Sequence, residues 1–369
     1  MPAARTVRSG PAIDTQVARA LLARVNRQVE SLCASRERIN LMEVCGTHTM
    51  AISGFGIRRA VGPRLKLLSG PGCPVCVTAQ EEIDACVALA RLPGVTVVTF
   101  GDMLRVPGTA GSLEQAKAAG ADVRVVYSAL DALRMAEAEP NRKFAFLGVG
   151  FETTAPTIAA AVLAARDAGV GNFSVLPLFK TIPPALELIA GSGRVRVDGF
   201  ILPGHVATIT GTGPFEFLCD RFKMPSCVVG FEAVDVLQGI SMLLDQLEHG
   251  PEVAIQYKRS VKPEGNRAAQ DMLAAVFEPR DASWRGIGII PESGLGFRTG
   301  FEQFDAAGRF NVRPGKPRKT ACRCGDVMLG LIAPNECRLF DRDCTPETPV
   351  GPCMVSSEGA CAAWYKYER

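Results

Sequence analysis

Two hydrophobic periodicities alternate along the chain, one typical of helices and one typical of buried strands. Val17, Leu21, Val25 and Val29 recur at helical spacing, which predicts a helix over residues 15–33. The apolar runs "RINLMEV", "RLKLLSG" and "GVTVVTFG" predict strands, and "TAQEEIDACVALARL" predicts a helix between the last two. Strands that alternate with helices predict an open parallel sheet covered by helices.

The pattern restarts near the middle of the chain, where "KFAFLGVGFETTAPTIAAAVLAARDAG" again predicts strand, loop and helix. The stretch "GFILPGHVATITG" resembles "LLSGPGCPVCVTA", and their Pro-Gly pairs lie 132 residues apart. Such matches favour a duplicated α/β unit, although matches this short also recur by chance. We therefore expect an α/β fold with two similar doubly wound parallel-sheet domains, residues 1–138 and 139–256, and a smaller cysteine-rich domain, residues 257–369.

Composition narrows the class of protein. Of the 369 residues, 47% are hydrophobic and 21% charged, and the net charge is +3, so nothing indicates a nucleic-acid surface. The first residues, "MPAARTVRSGPAID", lack an apolar core typical of a secretory signal, and the longest apolar runs are too short to span a membrane. These features lead us to expect a cytoplasmic protein.

Thirteen cysteines stand out in a chain of this predicted location. An odd number without an export signal favours metal binding or thiol chemistry over a disulfide framework. Six cysteines cluster near the end of the chain, at Cys322, Cys324, Cys337, Cys344, Cys353 and Cys361. Their wide, irregular spacing and the lack of a nearby histidine favour an iron–sulfur cluster over a zinc ribbon. Unligated buried cysteines are the alternative, and six exceed the four ligands that a cluster needs.

Cys73 and Cys76 form a Cys-x-x-Cys motif between a predicted strand and a predicted helix. A helix N-terminus lowers a thiol pKa, and two thiols at this spacing can close a disulfide. The motif is therefore interpreted as a reversible dithiol, with half of a metal site or simple packing as alternatives.

Cys45 and His48 lie three residues apart in "MEVCGTHTM", after a predicted strand. A Cys and a His at this spacing can face one ligand or form a thiolate–imidazolium pair. The sequence does not favour a cysteine protease, because no Asn or Asp is evidently placed to orient the imidazole ring of His48. A buried cysteine beside a hydrogen-bonded histidine explains the residues equally well.

Glu152 in "GFETTAP" and His205 in "PGHV" also follow predicted strands. Glu152 could donate protons or bind a polar ligand, whereas the threonines beside it could simply cap a helix. His205 is predicted to lie on a loop, as a ligand or as a structural residue.

Five stretches together resemble one family. "MEVCGTHT", "GPGCPVCVT", "GFETTAPT", "PGHV" and "CTPETPVGPCMVSSEGACAAWYKY" are similar, in order and over nearly the whole chain, to the HypD family of hydrogenase maturation proteins. The resemblance implies an assembly scaffold with redox activity, in contrast to a conventional turnover enzyme. It acts with the small chaperone HypC to build the Fe(CN)2CO unit of [NiFe]-hydrogenases, with cyanide from HypE and HypF.

The same resemblance implies roles for individual residues. Iron is held between a HypC cysteine and Cys45, beside His48, while Cys73 and Cys76 form the redox pair. A [4Fe-4S] cluster in the C-terminal domain takes its ligands from the terminal cysteines. For these ligands we expect Cys337, Cys344, Cys361 and one of Cys322 or Cys324, with Cys353 as a spare.

Electron delivery is a further hypothesis, because release of cyanide from a nitrile on a HypE cysteine requires two electrons. A relay from the cluster to the dithiol and on to the iron site would supply them. Two rival functions stay open, a stand-alone iron–sulfur thiol oxidoreductase and a zinc-stabilised binding module.

Overall fold

The structure, a computed structural model, describes residues 15–312, 315–316 and 320–369, so the expectation about a leader segment falls outside the described residues. The strands are β1 (Ile39–Glu43), β2 (Leu65–Ser69), β3 (Val95–Thr99), β4 (Val123–Val125), β5 (Lys143–Gly148), β6 (Phe173–Pro177), β7 (Gly199–Pro203), β8 (Ser226–Val229), β9 (Val253–Ile255), β10 (Phe277–Trp284) and β11 (Gly288–Phe297). The helices are α1 (Thr15–Leu32), α2 (Gly46–Gly54), α3 (Ile57–Ala60), α4 (Pro74–Val77), α5 (Gln80–Ala90), α6 (Leu113–Ala118), α7 (Ala129–Ala138), α8 (Ala155–Asp167), α9 (Ile182–Ser192), α10 (Gly204–Thr210), α11 (Glu216–Asp220), α12 (Ala233–His249), α13 (Arg267–Val276), α14 (Ala306–Arg309), α15 (Cys324–Met328), α16 (Pro352–Val355) and α17 (Ala360–Tyr367).

Sheet 1 has five parallel strands in the order β2-β1-β7-β8-β9. Every residue of β1 and β7 is buried, which explains why these segments are almost continuously apolar. The internal strand β1 pairs with β2 on one side and β7 on the other, so that Leu41 is paired with both Leu67 and Gly199.

Sheet 2 has four parallel strands in the order β4-β3-β5-β6. The two sheets share one connection pattern: the first strand is internal, the second lies outside it, and the third and fourth extend the opposite side. The expectation of an α/β protein with two parallel sheets is therefore confirmed.

The sheets divide the chain differently from the expected boundaries at residues 138 and 256. The chain forms β1 and β2 of sheet 1, then all of sheet 2, and returns to sheet 1 for β7, β8 and β9. The two Pro-Gly pairs follow β2 and β7, which belong to the same sheet, so they are not equivalent positions of two successive units. Local periodicity locates strands, but it does not identify their partners, and here the partners of β1 come from both ends of the chain.

The residues after β9 pack back onto both sheets. Strands β10 and β11 form an antiparallel hairpin, and an isolated bridge joins Thr78 to Trp284 at its end. Farther along, α16 contacts α4 and α17 contacts α2. Glu368, after α17, forms ion pairs with Arg58 (3.5 Å) and Arg59 (3.3 Å) next to sheet 1. The cysteine-rich end of the chain therefore covers the segments that follow β1 and β2.

Three buried clusters stabilise this arrangement. One belongs to sheet 1 with α1 and α12, one to sheet 2 with α7 and α8, and the largest joins both sheets to the hairpin and the C-terminal cysteines. In the part of the chain that the structure describes, no helix combines the length and the apolarity needed to cross a membrane.

Candidate functional site

Cys45 lies between the end of β1 and the first turn of α2, as predicted for a residue that follows a strand. Its extended backbone (φ −149°, ψ 125°) makes it the N-cap residue of α2, and it is 8% exposed. The Gly46 N–H donates to the Gly72 carbonyl at 2.8 Å, and a Cβ on Gly72 would collide with the Cys45 backbone. The loop after β2 therefore presses directly on Cys45, which requires glycine at position 72.

A buried carboxyl group supports this turn. Glu43 is fully buried; its Oε2 accepts the Cys45 N–H at 3.1 Å and its Oε1 accepts the Thr49 hydroxyl at 2.6 Å. Burial raises the Glu43 pKa from 4.5 to about 7, although its hydrogen bonds oppose the rise. The sequence analysis missed Glu43, but a single acidic residue inside an apolar strand was an available signal.

The Cys45 thiol is protonated at neutral pH. Burial raises its pKa to about 12; the His48 and Thr47 backbone N–H groups oppose the rise, whereas the nearby Glu358 and Glu43 carboxyl groups add to it. A thiolate at this position therefore requires a bound cation, such as a metal ion, to replace the proton.

His48 is buried with one ring nitrogen satisfied and the other free. Its Nε2 lies 3.2 Å from the Val229 carbonyl and 3.0 Å from the Gly230 carbonyl. Both partners are acceptors, so Nε2 carries the proton and Nδ1 bears a lone pair, for which the described residues offer no partner. Burial lowers the His48 pKa to about 4, which keeps the ring neutral. This arrangement suits a hydrogen-bond acceptor or a metal ligand whose far nitrogen is held by backbone carbonyls.

An aromatic stack joins His48 to His205. Phe231 lies 4.7 Å from the His48 ring and 4.0 Å from the His205 ring, measured between centroids. His205 is exposed and lies in the first turn of α10, so the expectation that it lies on a loop is wrong. Pro203, in extended conformation, is the N-cap residue of that helix and lets it begin directly after β7.

The C-terminal region reaches this site through Glu358. Its carboxyl group accepts the Thr47 hydroxyl at 2.8 Å, and a Cβ on Gly46 would lie 2.5 Å from the Glu358 Cβ. Burial lowers the His205 pKa, and the charge of Glu358 opposes that change. Neither Glu358 nor Phe231 was predicted, because their roles depend on contacts between distant segments.

The topology explains why these side chains meet. β1 and β7 are neighbours at the position where the strand order of sheet 1 reverses, and the segments after them carry Cys45 and His205. In open parallel sheets, ligands bind at the carboxyl ends of the strands beside this position.

Cys73 and Cys76 are joined by a disulfide, with their Cα atoms 5.2 Å apart. Cys73 is the N-cap residue of α4, and its Sγ accepts the Cys76 N–H at 3.1 Å. Both cysteines are buried, and α4 packs against α16, which carries Cys353. The two sulfurs are therefore close enough to form and break a bond beside the C-terminal cysteines.

All six C-terminal cysteines line one small cavity. Within residues 15–312, 315–316 and 320–369, no three His, Cys, Asp or Glu side chains are arranged around a single metal ion. Cys324 interacts through sulfur hydrogen bonds with both Cys322 and Cys353, and the charges that act on Cys344 include those of Cys322 and Cys337.

Glu152 follows β5, the strand of sheet 2 that corresponds to β7 of sheet 1. Its Oε1 accepts the Ile182 N–H at 2.9 Å, Oε2 has no partner among the described residues, and burial raises its pKa to about 7. Its described hydrogen bonds are to the backbone of Ile182 and to its own backbone, so they form no direct link to the Cys45 site.

The fold and these sites define an α/β protein with cysteines at the ends of its parallel strands and a cysteine-lined cavity beside them. The HypD family model, described as "Hydrogenase formation hypA family", matches residues 16–368. The chain belongs to the HypD family of hydrogenase maturation factors.

Individual relatives agree over nearly their full length. The chain is 46% identical over 355 residues to the hydrogenase maturation factor HypD of Rhizobium leguminosarum bv. viciae, which covers 94% of this chain and 92% of that protein. It is 43% identical over 356 residues to the factor of the same name from Escherichia coli K12, with 95% of each chain covered. For the Rhodobacter capsulatus factor, the identity is 42% over 362 residues, with 96% of each covered.

Proposed function

We propose that this protein is the scaffold on which, together with HypC, the Fe(CN)2CO unit of [NiFe]-hydrogenases is assembled. The observation that carries the proposal is the position of Cys45, a protonated thiol where the strand order of sheet 1 reverses, with His48 beside it. Iron that carries cyanide and carbon monoxide prefers a soft anionic ligand, and a cysteine thiolate is such a ligand. The iron unit is here the cargo, held between a HypC cysteine and Cys45.

His48 and His205 handle protons in this proposal. Iron binding must displace the Cys45 proton, and the free Nδ1 lone pair of His48 is a buried acceptor near the same turn. His205 is exposed on the other side of Phe231, so it can exchange protons with solvent at the mouth of the site.

Cys73 and Cys76 supply the two electrons that release cyanide. A nitrile on the HypE cysteine, delivered by HypE with HypF, reacts with the dithiol to give a free HypE thiol, hydrogen cyanide and the Cys73–Cys76 disulfide. Two thiol protons and two electrons leave the dithiol, and the S–CN bond breaks as the S–S bond forms. The disulfide of the structure is the oxidised product of this step.

The C-terminal cavity suits a [4Fe-4S] cluster, because six thiols converge on it without a histidine. We assign the ligands to Cys322, Cys337, Cys344 and Cys361, because the charges of Cys322 and Cys337 act on Cys344, and the charges of all three act on Cys361. The spacing of the cysteines left open whether Cys322 or Cys324 is a ligand, and we choose Cys322. When bound, the cluster would supply electrons one at a time for reduction of the neighbouring disulfide.

Visible absorbance of anaerobically purified protein tests the cofactor. We expect the broad absorbance of an iron–sulfur protein, retained in Cys324→Ser and lost in Cys322→Ser. A colourless protein that contains zinc would overturn the cofactor assignment and favour the zinc-stabilised module. Equal retention in both variants would overturn the ligand assignment alone.

Complementation tests the assembly function. In a host without its own HypD, the wild-type chain should restore [NiFe]-hydrogenase activity and Cys45→Ser should not. Cys33→Ser is a matched control, since Cys33 and Cys45 are both 8% exposed and both unpaired in disulfides. Full activity with Cys45→Ser would contradict the role of Cys45 as the iron anchor.

A stand-alone thiol oxidoreductase is the second candidate, favoured by the contact of the disulfide helix α4 with α16. That function requires turnover of a small disulfide substrate by the purified protein without partner proteins. Multiple turnovers in such an assay would favour it over the scaffold.

A further inference from the structure

Arg285 lies between the dithiol helix and the C-terminal cysteines. Its backbone N–H donates at 2.9 Å to the carbonyl of Val77, the last residue of α4. A Cβ on the next residue, Gly286, would lie 2.7 Å from the Cα of Gly325, which follows Cys324 in α15. The turn of the hairpin therefore holds Arg285 next to α4 of the Cys-x-x-Cys motif and next to α15, which begins at Cys324.

The Arg285 side chain is a buried cation without a carboxylate partner. The residue is 7% exposed; its Nη2 donates to the Pro107 carbonyl at 3.0 Å, and its Nη1 has no hydrogen-bond partner among the described residues. None of the ion pairs found in residues 15–312, 315–316 and 320–369 includes Arg285. A buried guanidinium group is strongly unfavourable unless a nearby anion compensates its charge.

The sulfur atoms of the cavity can provide that anion, because the charge of Arg285 acts on three of them. The sulfur hydrogen bond to Cys324 and burial raise the pKa of Cys322. In Cys324 and Cys353 one sulfur hydrogen bond lowers the pKa, but burial and, in Cys324, a second sulfur hydrogen bond outweigh it. The charge of Arg285 opposes the rise in all three cysteines. The guanidinium group thus acts on three of the six cysteines that line the cavity. Ligated or deprotonated sulfurs would give the guanidinium group of Arg285 negative neighbours, in place of the ion pair that it lacks among the described residues.

We propose that Arg285 is the buried counter-cation of the C-terminal cysteine centre, and that it favours the reduced state of that centre. The inference rests on the proposed cluster. Reduction adds one negative charge, and a buried positive charge stabilises it with little screening by solvent or salt. Arg285 is a positioning and electrostatic residue, and it takes no part in bond making.

The test is an anaerobic redox titration of the cluster-loaded protein, followed by its visible absorbance. Removing the charge in Arg285→Gln should shift the reduction equilibrium at least tenfold toward the oxidised form, which is about 59 mV for a one-electron couple. Arg285→Lys keeps a cation and should shift it much less. Arg280→Gln is the control, because Arg280 lies on the same hairpin and also donates to a proline carbonyl, that of Pro177, but is exposed.

An unchanged potential in Arg285→Gln, with wild-type cluster absorbance, would overturn the role of Arg285 and leave the proposed function standing. Wild-type protein without cluster absorbance would overturn both. If Arg285→Gln does not fold, Arg285→Lys decides: a near-wild-type potential supports the counter-cation, and a tenfold shift despite the retained charge refutes it.

Discussion

Replacing Glu152 with glutamine tests the physical account of the buried carboxyl group after β5. The residue is 6% exposed, one oxygen accepts the Ile182 N–H, and the other has no partner among the described residues. Burial raises its pKa from 4.5 to about 7. Glutamine keeps an oxygen for the Ile182 N–H but cannot ionise, so it resembles the protonated carboxyl group.

The sign of the pH effect follows from the raised pKa. The folded protein keeps the Glu152 proton to higher pH than the unfolded chain does, so the stability it contributes is fully present below pH 4.5 and is lost as the pH rises through about 7. The rise from 4.5 to about 7 corresponds to about 3 kcal/mol in the free energy of unfolding, at ~1.36 kcal/mol for each pKa unit. A glutamine at position 152 does not ionise, so the variant does not lose this part of its free energy of unfolding as the pH rises.

Urea unfolding of the wild type and Glu152→Gln between about pH 5 and about pH 8 measures the effect. The free energy of unfolding of the variant, relative to the wild type, should increase by about 2.5 kcal/mol over this range, since part of the full change falls below pH 5. Glu278→Gln, at an exposed position on the hairpin, should show no such trend. A difference between Glu152→Gln and wild type that does not change with pH would refute the reasoning.

Three other substitutions test separate parts of the account. Gly72→Ala would place a Cβ against the backbone of Cys45 and should cost about 2 kcal/mol in urea unfolding, whereas Gly62→Ala, with open space around it, should cost almost nothing; equal effects would contradict the close packing. Lys180→Met removes the buried partner of Glu82, 2.7 Å away, and should cost about 3 kcal/mol, largely recovered by adding Glu82→Gln; a double variant as unstable as the single one would show that the unpaired charge is not the cause. The double serine variant of the Cys-x-x-Cys pair should bind HypC but load no normal Fe(CN)2CO unit, as judged by infrared spectroscopy; normal loading would eliminate the dithiol as the electron source.

Local structure followed closely from the sequence. The helix predicted over residues 15–33 is α1, Thr15–Leu32, and the strands predicted before Cys45 and before the Cys-x-x-Cys motif are β1 and β2. Each of these elements depends on the spacing of its own apolar residues, which is readable without knowledge of the rest of the chain.

Strand pairing could not be predicted from the sequence, because it depends on contacts between distant segments. Short repeated motifs favoured two successive domains, whereas β1 pairs with both β2 and β7 and sheet 2 is inserted between them. The two sheets are similar in strand order, but the matched Pro-Gly pairs both belong to sheet 1 and do not indicate this similarity.

The same limit applies to the candidate site. Cys45, His48 and His205 were identified from the motifs, but Phe231 between the histidines and Glu358 against Thr47 come from segments far away in the chain. Arg285 had no signal in the sequence at all, since its burial and its lack of an ion pair are visible only in the folded protein.

Infrared spectroscopy of the protein purified anaerobically with HypC tests the central claim most directly. The account predicts absorption bands of iron-bound cyanide and carbon monoxide in the wild-type complex and in Cys33→Ser, and their loss in Cys45→Ser with HypC still bound. Undiminished cyanide and carbon monoxide bands in the Cys45→Ser complex would contradict assembly of the iron unit on Cys45.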